Sequence, residues 1–208
     1  MPQRRISRAH VGFLTGVPLA WAVLLLFHPT GDGEDVYPVV SDELTGWLVV
    51  HVGTLVFVPL MAVVVHLLLR GVDGGAARLA RLALVAFVLF YAAWETLIGI
   101  GTGLFVDQVE GMTGAEQAGG ARAVERYVDS DAIRAFELAG MVSLFTALTA
   151  AGIALRTRAG APLAVPVLLV LAAVPIGWHV PPFGQFGLAL FFVAVLLVVR
   201  GRASAQLP

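Results

Sequence analysis

Long apolar runs, separated by short polar segments, fill almost the whole chain. A run of about 17–25 apolar residues is long enough for an α-helix to cross the hydrocarbon core of a bilayer. The pattern therefore predicts an all-α polytopic membrane protein, a bundle of six transmembrane helices that forms a single transmembrane domain over residues 1–208. The predicted spans cover about residues 11–27, 47–69, 79–105, 135–155, 163–178 and 183–199.

The last two runs are shorter than the others, and the turn His179-Val180-Pro181-Pro182 joins them. Their length is close to the lower limit of about 17 residues for a transmembrane helix. Two full crossings and a re-entrant pair of helices are both compatible with these runs.

Arginine residues are unevenly distributed between the predicted loops. Ten of the thirteen fall at the N-terminus, in the 70–81 turn, at 156–158 and after residue 199. The predicted outer loops, residues 28–46 and 106–134, hold the other three and most of the acidic residues. Because cytoplasmic loops are enriched in Arg and Lys, we predict that both termini are cytoplasmic.

Composition narrows the class of protein. Hydrophobic residues make up 59% of the chain, charged residues only 13%, and the mean hydropathy is +0.89, which is outside the range of soluble domains. The absence of cysteine excludes disulfides, thiolate zinc sites and iron–sulfur clusters. All basic residues are Arg, which indicates a GC-rich bacterial genome and hence a bacterial plasma membrane. Membrane lipid is the expected partner, and nucleic acid is not, because no basic surface for it is present.

One ionised residue, Glu95, lies in the middle of the third apolar run. A carboxylate at that depth costs several kcal/mol unless it is neutralised, paired or hydrated, so it indicates a functional site. Tyr91 and Gly99 lie one helical turn on either side, and Gly103 lies one turn further. We expect this face, with its small and polar residues, to point into the bundle.

Four further polar residues lie at one level near the outer face, each on a different predicted helix. They are His28, His51, Glu137 and His179. Glu95 is expected to lie deeper, roughly 15 Å from the outer end of its helix at the α-helical rise. If the helices pack so that these faces meet, the residues form one cluster, with His28 as its least certain member.

Imidazoles and carboxylates in one layer indicate a metal or haem site. Neutral imidazole binds zinc, copper or iron, and a carboxylate completes the shell or acts as a general base. We assign His51, His179, His28 and Glu137 as candidate metal ligands and Glu95 as the candidate catalytic acid or base. No H-E-x-x-H motif or His pair at i, i+4 supports this, so the assignment depends on position alone.

Each of these residues also has a structural interpretation. His28 and His179 lie beside proline at helix ends, where histidine caps carbonyls or faces lipid headgroups. His51 can hydrogen-bond a neighbouring carbonyl, and Glu137 can pair with Arg134 on the same helix. Glu95 can be a protonated carboxyl group that makes one interhelical hydrogen bond.

Two more histidines, His10 and His66, lie near the predicted cytoplasmic side. With His28 and His51 they suggest one bis-histidine haem in each leaflet. At the helical rise, His10 and His28 on the first helix are about 27 Å apart, and His51 and His66 on the second are about 22 Å apart. This disagreement argues against two haems and leaves a single outer haem as an alternative to a metal ion.

Three functions remain open from the sequence. The first is a membrane protein whose outer cluster binds a transition metal or haem and acts on a lipid-soluble small molecule. The second is a proton-coupled transporter or channel in which Glu95 loads and releases a proton and His51 relays it outward. The third is a membrane scaffold or partner-binding subunit without chemistry.

The predicted topology is tested by reporter fusions. A reporter fused after Pro208 should be active only in the cytoplasm, and a label directed at residues 106–134 should react from outside the cell. A C-terminal fusion that is active in the periplasm would contradict the assignment of depth to every residue of the cluster.

Overall fold

The computed structural model describes residues 7–31 and 35–204, and within them the chain forms helices and no strand. Arg4, Arg5, Asp32 and Glu34, which contribute to the predicted charge distribution, lie outside the described residues. The prediction of an all-α membrane protein is confirmed. The helices are α1 Arg8–Leu24, extended by a 3₁₀ turn Leu25–Phe27, α2 Val36–Asp42, α3 Leu44–Leu68, α4 Gly75–Trp94, a π-helical segment Glu95–Gly101, α5 Thr102–Glu110, α6 Gly114–Val128, α7 Asp131–Ala159, α8 Ala164–Gly177 and α9 Phe183–Ser204.

Five helical stretches of the described chain are long and apolar enough to cross a membrane. They are Arg8–Phe27, Leu44–Leu68, Gly75–Glu110, Gly114–Ala159 and Phe183–Ala203. The fifth predicted span corresponds to α8, which has 14 residues and a length of about 21 Å. That is less than the hydrocarbon core of about 30 Å. The number of six crossings and the cytoplasmic termini stay predictions.

Six helices pack in a closed ring. Each contacts the next in the order α4, α7, α8, α9, α1, α3, and α3 returns to α4 and its π-helical extension. The most extensive contact is between α4 and α7. Both helices are lined by buried alanines, among them Ala77, Ala80, Ala147 and Ala151. Small residues let helix backbones approach closely where lipid removes the hydrophobic force between helices. Large apolar side chains such as Leu82 and Leu26 face outward, 71% and 67% exposed.

The segments predicted as outer loops contain further helices. The third predicted span continues past residue 105 through α5 to Glu110, and α6 occupies Gly114–Val128. The Gly119-Gly120 pair does not interrupt α6. A Cβ at Gly120 would overlap the side chain of Val109 on α5, so this glycine permits close packing of two helices.

A second small core joins these outer helices to α3. It consists of Val40, Trp47, Val106, Val109 and Val124. The Glu125 carboxylate of α6 accepts hydrogen bonds from the backbone N–H groups of Val36 and Tyr37, at 3.1 and 2.7 Å, and so caps the N-terminus of α2. Ser130 caps α7 by accepting a hydrogen bond from the Ile133 amide.

Candidate metal centre

The ring of helices brings four polar side chains together at one end of the bundle. His28 follows the 3₁₀ turn after α1, His51 lies in the second turn of α3, Glu95 begins the π-helical segment, and His179 lies between α8 and α9. One ring nitrogen from each of the three histidines lies within 4.8 Å of the others. His28, the least certain member of the predicted cluster, thus lies with the other two histidines, because the chain turns inward after Phe27.

Glu95 bridges two of these histidines. Its Oε2 lies 2.7 Å from Nδ1 of His51, and its Oε1 lies 3.4 Å from Nε2 of His179. The carboxylate therefore reaches the layer of the imidazoles, although the sequence placed it deeper. Both imidazoles and the carboxylate are buried, with exposed fractions of 2% or less.

Hydrogen bonds determine which nitrogen carries the proton in His28 and His179. Nδ1 of His28 lies 2.7 Å from the carbonyl oxygen of Pro29, and because a carbonyl can only accept, Nδ1 is the donor. The Tyr91 hydroxyl donates to the carbonyl of Gly177 at 3.0 Å and lies 3.0 Å from Nδ1 of His179. When the hydroxyl donates to this carbonyl, Nδ1 of His179 donates to the hydroxyl oxygen, and both rings then keep their lone pair on Nε2.

The same reasoning applies to His51. Its Nδ1 lies 2.7 Å from Oε2 of Glu95, and an ionised carboxylate at that position can only accept. The proton then lies on Nδ1 and the lone pair on Nε2. All three rings thus have their second nitrogen held by a carbonyl, a carboxylate or a hydroxyl, which is the pattern that fixes and orients metal-binding histidines.

Three buried acceptor atoms in the cluster have no hydrogen-bond partner within the described part of the chain. They are Nε2 of His51, Nε2 of His179 and Oε1 of Glu95. Most buried polar atoms in proteins have a partner, so each exception requires an explanation. Here the unpartnered atoms belong to one cluster, and with the protons placed as above all three are acceptors.

The spacing of the rings matches coordination by a small metal ion. The ring centroids are 5.2 Å apart for His28 and His51, 5.3 Å for His28 and His179, and 5.6 Å for His51 and His179. With metal–nitrogen distances of about 2.0–2.1 Å and tetrahedral angles, such centroids would lie about 5 Å apart. The observed centroid distances are therefore compatible with three imidazoles around one tetrahedral ion.

Tryptophan side chains enclose the cluster. The Trp47 ring packs on His51 and His28, with centroid distances of 4.3 and 5.5 Å, and Trp94 packs on His179 at 5.4 Å. His28 is 9% exposed and is the most accessible of the four site residues. The site is therefore dehydrated, which strengthens electrostatic interactions inside it.

His28 and His179, which lie just beyond the ends of helices, both have lowered pKa values. Burial lowers the pKa of His28 to about 4, and the neighbouring His51 contributes to the shift. Burial also lowers the pKa of His179 to about 4, although the Glu95 carboxylate opposes the change. Neutral imidazole is the form that binds a metal ion.

The π-helical segment Glu95–Gly101 fits the backbone around His51. A π-helix widens each turn, and short π segments occur frequently at functional sites. The carbonyl of Gly99 accepts a hydrogen bond from Trp47 Nε1 at 2.7 Å, and that of Leu97 accepts one from the Tyr127 hydroxyl at 2.9 Å. These two side chains satisfy carbonyls of the segment and connect it to α3 and α6.

Glu137 is the predicted ligand that lies outside this group. It is half-buried on α7, and it is not one of the three residues whose ligand atoms converge. Its expected neighbour Arg134 makes an ion pair with Asp129 at 2.8 Å. Its assignment as a metal ligand stays a prediction.

Sequence reasoning did not assign the roles of Tyr91 and Trp47. Tyr91 lies one turn before Glu95 on the same face, so a signal for it was present, but its contact with His179 depends on how α4 packs against α8. Trp47 lies one turn before His51 and packs over its ring, a contact that helical spacing also suggests.

Comparison of the chain with protein-family models, with curated proteins and with solved structures found no match. The function therefore has to be argued from the site itself.

Gly99→Ala tests the fit between the π-helical segment and His51. An added Cβ would overlap Cγ and Nδ1 of the His51 ring, and overpacking of this kind costs about 1–3 kcal/mol of stability. We expect a lower thermal midpoint in detergent. Gly16→Ala on α1 is the matched control, because a Cβ there meets no atom within 4 Å. Equal midpoints for the two variants would contradict the tight contact.

Proposed function

We propose that this protein is a multi-pass membrane metalloprotein that binds one transition-metal ion through Nε2 of His28, His51 and His179, with Glu95 beside them. The observation that carries the proposal is the convergence of buried acceptors without partners: two imidazole nitrogens and one carboxylate oxygen. A divalent cation would satisfy these atoms together and neutralise the carboxylate.

A single proton is a poorer explanation of the same geometry. A proton shared by Glu95 Oε1 and His179 Nε2, which are 3.4 Å apart, would satisfy those two atoms. It would leave His51 Nε2 buried without a partner, at a cost of about 1–3 kcal/mol. A structural role without a bound ion would likewise leave His51 Nε2 without a partner, which argues against a scaffold.

The donor set indicates the class of metal. Imidazole nitrogens suit Zn²⁺, copper, iron and nickel, whereas a site built from oxygens alone would suit magnesium or calcium. The distances between the rings support a tetrahedral ion, and zinc prefers that geometry with nitrogen and carboxylate ligands. Zinc is therefore the favoured ion.

The chemistry we propose for the site is the conversion of a lipid-soluble small molecule. A bound metal ion would act there as a Lewis acid. Glu95 Oε1 accepts a proton or completes the metal shell, while Oε2 orients His51. Exposed apolar side chains flank the cluster in sequence, among them Phe27 and Trp178, so a substrate dissolved in the bilayer reaches its vicinity without crossing water.

The location follows from the charge distribution. With both termini in the cytoplasm, the cluster lies in the outer leaflet of a bacterial plasma membrane. This placement supports exchange of metal ions with the outside.

A second candidate function rests on the hydrogen bond between His51 and Glu95. The 2.7 Å contact between Nδ1 and Oε2 is short enough for proton exchange, and buried Glu–His pairs occur in the proton relays of transporters. A proton-coupled transporter would need this pair but no bound metal. Metal content therefore discriminates between the two functions.

The first test is elemental analysis of the purified protein. We expect one transition-metal ion per chain in the wild type, or tight binding of added Zn²⁺ or Co²⁺. His51→Gln and His179→Gln should each lower the affinity by more than the 10–100-fold that loss of a second-shell partner costs. His10→Gln and His66→Gln are the controls, since both residues are exposed and lie outside the cluster. A wild type that neither contains nor binds metal would exclude the proposal.

Glu95→Gln tests the role of the carboxylate. The amide keeps the size of the side chain and an oxygen that accepts from His51 Nδ1, but it removes the negative charge. We expect the metal affinity to fall about 10–100-fold while the thermal midpoint of the metal-free protein changes little. Unchanged metal affinity would mean that Glu95 contributes only a hydrogen bond.

A further inference from the structure

A groove of about 350 Å³ lies between α3 and α4, on the opposite half of the bundle from the histidine cluster. Apolar side chains make up most of its lining, including Pro59, Ala62, Val85 and Leu89. α4 packs chiefly against α7 and less extensively against α3. The small side chain of Ala62 lines the groove between α3 and α4.

The polar side chains of the groove gather at one end. His66 comes from the end of α3 and Arg81 from the second turn of α4. Pro59 lies about 10 Å above His66 and Leu89 about 12 Å above Arg81, at the α-helical rise of about 1.5 Å per residue. The groove thus has a cationic end at the predicted cytoplasmic surface and an apolar body of about 10–12 Å, which fits within one leaflet of about 15 Å of hydrocarbon.

Arg81 has unused hydrogen-bond donors. Its NH2 group donates to the carbonyls of Leu69 and Val72, both at 2.9 Å. A guanidinium has five N–H groups, so those on NH1 and Nε have no partner within residues 7–31 and 35–204. No carboxylate in those ranges forms an ion pair with Arg81.

The net positive charge around the groove favours an anionic ligand. The turn and the start of α4 carry Arg70, Arg78 and Arg81 against a single acid, Asp73. Basic pockets between transmembrane helices on the cytoplasmic side bind anionic lipid headgroups. A zwitterionic headgroup would bring a second cation toward these arginines.

We propose that this groove binds one anionic phospholipid of the cytoplasmic leaflet, with an acyl chain along Ala62, Val85 and Leu89 and the phosphate on the free donors of Arg81. The length of the groove, its apolar body and its cationic end match the shape and charge of that molecule. The site is separate from the histidine cluster and does not depend on metal binding.

The test compares two lipids with identical acyl chains on the purified full-length protein. Phosphatidylglycerol and phosphatidylcholine are titrated separately, and native mass spectrometry counts the lipids retained. We expect one phosphatidylglycerol to bind with a preference of about five-fold or more, since a basic side chain near the surface contributes about that factor. No preference between the two lipids would overturn the proposal.

Two variants that each remove one positive charge distinguish lipid binding in the groove from attraction to the basic surface as a whole. Arg81→Gln should abolish the preference, whereas Arg70→Gln, which removes the same charge outside the groove lining, should preserve it within two-fold. If both variants lost the preference for phosphatidylglycerol equally, the preference would come from the basic surface as a whole, and the proposed site would be wrong.

A second pair of variants avoids Arg81, because Arg81 also satisfies carbonyls at the end of α3. Ala62→Phe fills the groove without changing charge and should reduce retention of phosphatidylglycerol several-fold. Val142→Phe places the same ring on the exposed face of α7 and should not. Equal retention in these two variants would also overturn the proposal.

Discussion

The burial of Glu95 is the constraint on which the rest of the structure depends. A carboxylate without exposure to solvent is tolerated only when donors or a cation surround it. His51 on α3 and His179 in the α8–α9 connection supply that environment, and Tyr91, one turn away, contacts His179. The outer end of the bundle is therefore organised around one charged group, and its packing and its chemistry cannot be separated.

The closed ring of helices makes this arrangement possible. Because α1, α3, α4 and the α8–α9 connection all border the same interior, a side chain from each can reach one point. The alanine-rich contact of α4 with α7 holds the helix that carries Glu95. Close packing by small residues thus fixes the relative positions of site residues that are far apart in sequence.

The fold class and most of the site could be predicted from the sequence, because both depend on local signals. Apolar runs of membrane length and a lone acid within one of them identify the helices and Glu95. The inward turn at His28 and the depth of Glu95 depend on the 3₁₀ turn, the π-helical segment and the packing of the ring, which have no periodic signature. For Glu137, position along α7 predicts its level in the membrane. Whether its side chain points toward the histidines depends on how α7 is rotated in the bundle, which the sequence does not give.

The π-helical segment has a consequence for the whole third crossing. A π turn holds an additional residue compared with an α turn, so the faces of α4 and α5 are offset from the continuous α-helical register that the sequence suggests. The inner half can therefore present its alanines to α7 while the outer half presents Val106 and Val109 to the outer core. One continuous helical stretch thereby contacts both α7 and the second core, and its change of register begins at Glu95.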